Sequence, residues 1–203
     1  MPARSYMSYK LLAGKDVDVL EPFPEAYWPQ ATQWMYRHHT LVFGDQGPQT
    51  PEEIEVFLRT RSKQPGIRTW GIVDKNNLTQ VRSTDIPLVG VVFWEQDSPY
   101  NGYIHLASNR RGWGPKLAQP SLVEQGAELI KQELWDSTPS LQRISTIMFA
   151  HNKAARTLAN ALGLVKDGYF KSMGCIKGKP IDMIHYGLLR KPELEGPQNV
   201  LGI

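Results

Sequence analysis

The segment "NRRGWGPKLAQP", Asn109 to Pro120, gathers residue types that suit an anion. Gly112 and Gly114 permit close backbone approach, and Arg110, Arg111 and Lys116 supply positive charge. An apolar run enters the segment and a helical pattern leaves it. The free N–H groups and positive dipole end of a helix would therefore face whatever the turn holds. Pro115 fits a first helical position yet removes one of those N–H groups. The segment lacks the G-x-x-x-x-G-K-[ST] pattern of a P-loop, and Leu117 stands where a dinucleotide fingerprint needs its third glycine. An ordinary basic turn has the same composition. Nearby groups could move a proton. His105 lies on the run entering the turn and titrates in a range useful to a general base, a packed strand histidine being the alternative. Glu95 and Asp97 close the preceding run and could orient a water or bind an amine.

Elements must position these residues. "PEAYWPQATQWMYRHHT" reads as helical from Pro24, with Trp28, Ala31, Met35 and His38 recurring at helical spacing. "TPEEIEVFLRTRSKQPG" begins a helix at Thr50, with Pro51 in the first position and Glu52 and Glu53 at the positive dipole end. Ile54, Phe57 and Leu58 form its apolar face, and Pro65-Gly66 ends it. The period then changes to that of strands: "RTWGIVDKNN", the continuously apolar and so central "PLVGVVFWEQD", and "YNGYIHLASN". A helix over 121–134 follows, with Leu122, Gly126, Leu129, Ile130 and Leu134 inward. Pro120 kinks this helix or pushes its regular part downstream. "QRISTIMFAHN" is a further strand, "NKAARTLANALG" a short helix closed by Gly163, and "DGYFKSMG" with "PIDMIHYGLLRK" a strand pair. "YKLLAG" and "DVDVL" near the start are possible short strands. Short turns between the first strands and one β-helix-β crossover predict an α/β fold, a mixed sheet with helices on both faces.

The 203 residues, 41% hydrophobic and 21% charged, suffice for one domain with a real core. We expect that domain over 1–190, with "KPELEGPQNVLGI" from 191 as a tail. A net charge of +3 gives no reason to expect a nucleic-acid or membrane partner. A single cysteine, Cys175, excludes an intrachain disulfide and suits a reducing compartment. No apolar run approaches the roughly 20 residues that span a bilayer, and "MPARSYMSYKLLAGKD" has no signal-peptide core. The expectation is a cytoplasmic protein, monomer or homodimer, without a metal.

Further along, "HNKAARTLANALGLVKDGYF" places Asn152, Ala155, Leu158, Gly163 and Leu164 at fixed intervals. With Asn109, Gly112 and Gly114, these residues resemble the GNAT superfamily of acyl-CoA-dependent N-acyltransferases. Its pyrophosphate loop has the form Q/R-x-x-G-x-G/A, and its next strand ends in Asn before a helix N-x-x-A/S-x-x-L-Y-x-x-x-G-F. The ending, with Asp182, Tyr186 and Leu188, is similar to the RimJ/RimL branch. The likeness spans about Arg68 to Glu193.

This resemblance implies a six- to seven-stranded, mostly antiparallel sheet whose strands "GYIHLAS" and "RISTIMFA" splay apart to admit coenzyme A. It implies direct transfer of an acetyl group from acetyl-CoA to a primary amine of a protein N-terminus, lysine or small molecule. The runner-up is a catalytically degenerate GNAT-fold binding or assembly module. Backbone N–H groups from Arg111 through Gly112, Trp113 and Gly114 to Leu117 would hold the pyrophosphate, and Asn152 the pantetheine. A main-chain N–H near Leu106 or Ala107 would polarise the thioester, and Arg110, Arg111, Lys116 and Arg156 could reach phosphates. His105 and Glu95 are the candidate catalytic groups. The chain departs from the family pattern where Asn109 replaces Gln or Arg, where Ala159 replaces the acid Tyr, and at about Ile147, where some relatives carry a Glu base. Cys175 and Tyr169 are near in sequence only. The acceptor groove is expected from the N-terminal helices, with Tyr27, Trp28, Trp34, Tyr36, His38 and His39.

Overall fold

A run without a charge from Pro87 to Trp94 belongs in the middle of a sheet, and the computed structural model places it there. The structure describes residues 9–76, 87–113 and 120–190. Strand β4 (Leu88–Ser98) lies between β3 (Ile67–Asp74) and β5 (Asn101–Ser108), antiparallel to both. On the far side of β3 come β2 (Val17–Glu21) and β1 (Lys10–Ala13). Beyond β5 lie β6 (Arg143–Phe149), then β8 (Lys179–Leu189), then β7 (Val165–Ile176) at the edge. All pairings are antiparallel except β5 with β6. The sheet has eight strands rather than six to seven, because the short N-terminal runs both join it through Val17 opposite Asp74. The two strands, four and five residues long, fall on the runs "YKLLAG" and "DVDVL" that the sequence offers as possible short strands.

Helices cover both faces. On one face, α1 (Trp28–Tyr36), α2 (His39–Val42) and α3 (Pro51–Arg61) precede the central strands in the chain. Trp28, Ala31 and Met35 of α1 and Ile54 and Leu58 of α3 pack on Val91 and Phe93. Thr50 caps α3 through a reciprocal box with Glu53. On the other face, α4 (Leu122–Ser137) lays Ile130 and Leu134 on Trp70, Ile72 and Val92. The short helix α5 (Lys153–Ala161) lays Leu158 and Ala159 beside Met148, Ile184 and Tyr186. Pro120 does not kink α4. The helix starts after it, where Ser121 and Glu124 form a second capping box, so its regular part is displaced downstream. Among the described residues no helix is long and apolar enough to cross a membrane. The expected tail, residues 191–203, lies outside the described residues.

Candidate functional site

β5 and β6 pair only at their first residues, Asn101 to Tyr103 against Arg143 to Ser145. Beyond that point they part, while β5 continues on β4 as far as Ser108 and β6 continues on β8 as far as Phe149. A cavity of about 820 Å³ occupies the gap. Ile104 to Ser108 form one wall and Thr146 to Phe149 the other. Tyr100 accepts the Arg143 N–H through its carbonyl, and Asn109 donates its own N–H to Val89 at 3.1 Å. Alternation along the strand therefore turns the main-chain groups of Ile104, Leu106 and Ser108 towards the gap, and those of His105 and Ala107 towards β4. Of the two residues expected to offer a donor, Leu106 turns its N–H to the gap. Ala107 does not, its N–H belonging to the ladder with Val91.

The turn after β5 is a short 3-10 turn, Arg110–Trp113. Asn109 points inward rather than at a ligand. Its side chain donates to the Leu88 carbonyl at 2.7 Å and accepts the Gly112 N–H at 3.0 Å, which pins the turn to β4. That N–H is consequently committed within the chain. Gly112 is needed for packing, since a Cβ there would stand 2.4 Å from Val123 and 2.9 Å from the Val89 carbonyl. Arg110 and Trp113 line the cavity. Arg111 instead pairs with Asp74 at 3.5 Å, and Arg156 is exposed and donates to the Ala150 carbonyl at 3.3 Å; neither lines the cavity. Gly114, Pro115, Lys116 and Leu117 lie outside the described residues. Asn152 lines the cavity and caps α5, accepting the Ala155 N–H at 3.1 Å. Ala159 is buried in the same wall, so no side chain there can donate a proton.

His105 and Glu95, proposed separately from sequence, meet in the structure. Pairing of Phe93 with His105 makes Glu95 a diagonal neighbour on the face covered by α1 and α3. Their Nε2 and Oε2 atoms are 3.6 Å apart, and Nε2 is buried without a hydrogen-bond partner although the ring edge reaches the surface. Arg61, in the last turn of α3, hydrogen-bonds the same Glu95 oxygen. Burial of the imidazole, helped by the Arg61 charge, holds its pKa below the ordinary histidine value; Glu95 offsets this only in part. The imidazole's charged form is thus disfavoured, and the ring lines the cavity while its Nε2 is turned inward to Glu95. Asp97 is exposed and bonded to Asn101 at 3.3 Å, away from this pair.

The aromatic residues of the first helices divide. Trp28 is core, Tyr27 and Trp34 pack around it, and Tyr36 and His39 stack at 5.3 Å on the outside. His38 lines the cavity together with Met35 of the same stripe, and so do Val42 and Phe43, which the sequence did not single out. Tyr169 hydrogen-bonds Asp182, and Cys175 lies 3.4 Å from Asp45; neither reaches the cavity wall. Sequence reasoning also missed Arg61, whose partner is 34 residues away on another element. Among the described residues no three His, Cys, Asp or Glu side chains converge to hold a metal ion.

Comparison with protein-family models and with curated sequences finds no match. Solved structures match in shape. Ribosomal-protein-S5-alanine acetyltransferase from Vibrio fischeri superposes with a TM-score of 0.66 at 16% identity, over 90% of this chain and 98% of that one. A GNAT-family acetyltransferase from Bacillus anthracis gives 0.67 at 14%, over 89% and 98%. RimL, a ribosomal L7/L12 alpha-N-protein acetyltransferase in complex with coenzyme A, gives 0.66 at 12%, over 89% and 98%. At these identities the likeness is one of fold, and the fold is that of the GNAT acetyltransferases.

Proposed function

We propose that the chain is an acyl-CoA-dependent N-acetyltransferase that moves an acetyl group from acetyl-CoA directly to a primary amine, with a protein N-terminus as acceptor. The observation that carries this reading is the parting of β5 from β6, which turns the Leu106 N–H into a cavity reached from both faces of the sheet. Arg110, Trp113 and Asn152 stand at the α5 side, and His38, Arg61 and His105 at the α1–α3 side. The first group suits the donor. Unpaired strand groups, a basic side chain and the start of a helix fit the amides and phosphates of coenzyme A. The neighbours that acetylate ribosomal proteins favour a protein acceptor.

Acetyl-CoA would supply an activated acyl group as a thioester. The Leu106 N–H, fixed by the β4 ladder before any ligand arrives, donates to the acyl oxygen as charge develops on it. Neutral His105 takes the proton of the attacking amine on the side of the ring that lines the cavity, and the Glu95 carboxylate beside Nε2 offsets the charge the imidazolium then carries. Arg61 holds Glu95 in that place. Ala159 leaves the departing thiolate to find its proton in solvent.

Incubation with acetyl-CoA and three amines tests this: a peptide with a free N-terminus, an N-blocked peptide containing lysine, and a diamine. Mass spectrometry should find the acetylated α-amine as the main product. Absence of product from every amine at millimolar acetyl-CoA would overturn the enzyme reading and leave the binding-module alternative.

A further inference from the structure

One side chain fastens a loop that lines the α1–α3 side of the cavity to a hairpin distant in sequence. The α2–α3 loop contributes Phe43, Gln46, Gly47 and Pro48 to the cavity wall, next to Val42 at the end of α2. In that loop Asp45 accepts the Lys177 N–H at 2.7 Å on one carboxylate oxygen and the Gly178 N–H at 2.7 Å on the other. Its own N–H donates to the Cys175 carbonyl at 3.1 Å, and the Cys175 thiol donates to Asp45 at 3.4 Å. Lys177 and Gly178 form the tip of the β7–β8 hairpin, with φ of 53° and 70°. Consecutive residues in that left-handed region aim both N–H groups at one anion. The two donors, Gly178 first, hold the Asp45 carboxyl below the usual carboxylate range.

Beneath this clasp lies Phe149, the last residue of β6 and part of the cavity wall. A Cβ on Gly44 would come within 3.2 Å of its ring, and one on Gly174 within 2.7 Å. The loop and the hairpin thus grip the ring from two sides, and Asp45 is the charged link between them. Nothing in the transfer chemistry requires that link.

We propose that Asp45 is a positioning residue that sets the width of the acceptor opening, so that slim, extended amines are admitted ahead of branched ones. The inference rests on the acetyltransferase reading above. Its test compares wild type, Asp45→Asn and Asp45→Ala by amide hydrogen exchange and by steady-state kinetics. The acceptors are two peptides that begin with glycine and with valine. In Asp45→Ala the Lys177 and Gly178 amides should exchange at least about tenfold faster, as loss of a charge-assisted bond requires, while β4 amides stay protected. The glycine-over-valine ratio of kcat/KM should fall roughly tenfold, through the KM of the valine peptide, with the KM for acetyl-CoA moving less than about twofold. Asp45→Asn keeps one acceptor oxygen and should lie between. Unchanged exchange at the hairpin tip would deny the clasp. Faster exchange with an unchanged ratio would deny its role in selection. A wild type that acetylates neither peptide nor any other amine fails the acetyltransferase reading first, and this inference with it.

Discussion

At the scale of single residues, His105 is poised by opposing charges. Arg61 from α3 lowers the imidazole pKa beyond what burial does, Glu95 from β4 raises it, and Tyr103 stacks beside it on β5. A base with a lowered pKa stays neutral until the pH falls below the ordinary histidine value of 6.5. The acid limb of kcat/KM should therefore lie below that value, well clear of an α-amine that titrates near about 7.7–8.0. Replacing Arg61 with Gln should move the limb up, and Glu95→Gln should move it down. His105→Ala should lower kcat roughly 100- to 10,000-fold and abolish the limb. A limb that survives in His105→Ala would remove the residue from the mechanism. Both carboxylate and imidazole were legible as candidates, because each ends or lines a strand next to a glycine turn. Their contact follows once β4 and β5 form a hairpin. Arg61 was not legible, since nothing local says that the end of α3 lands on Glu95. Asn109 shows the opposite case: the motif suggested a ligand contact, and its side chain holds the turn to β4.

At the scale of elements, the site depends on where helices begin. Asn152 both starts α5 and faces the cavity, so its two roles need separating. Asn152→Ala should cost about 1 kcal/mol of stability from the lost cap and should also weaken acetyl-CoA binding. Asn152→Ser keeps a capping oxygen on a shorter side chain. It should restore most of the stability, read by urea denaturation, without restoring affinity. Recovery of both together would make Asn152 a cap alone. Helix starts were well marked in the sequence: Thr50-Pro51 with two glutamates marked the first residue of α3, whereas its end falls at Arg61, before the expected Pro65-Gly66. Ser121-x-x-Glu124 marks α4 equally well, and it explains why Pro120 precedes the helix rather than bending it. The aromatic stripe of α1 was legible as a buried face but not as core rather than groove, because burial against a sheet and burial against a ligand select the same residues. His38 reaches the cavity because α1 ends just before it and the chain changes direction there.

At the scale of the whole molecule, a sheet that parts in its middle leaves main-chain groups without a strand partner, a costly arrangement unless something else occupies them. The mixed sheet was legible from the order of elements, since the connection through α4 is long enough for a crossover between parallel strands. The parting itself was not: both strands mix apolar and polar residues along their length, and only the family resemblance implied that they diverge. A ligand that fills the gap should therefore act on the whole fold. At about 100 times its Kd, acetyl-CoA should add about 2.7 kcal/mol. For a chain of 203 residues that raises the melting midpoint by roughly 5–10 °C. Hydrogen exchange should localise the gain, with slower exchange at Leu106 on the open edge of β5 and little change at Ala107, which β4 already protects. Thermal stabilisation without protection of Leu106 would place the ligand elsewhere on the surface. No stabilisation at millimolar acetyl-CoA would mean that the gap is built for a different occupant, and the assignment of Leu106 as the acyl-oxygen donor would fall with it.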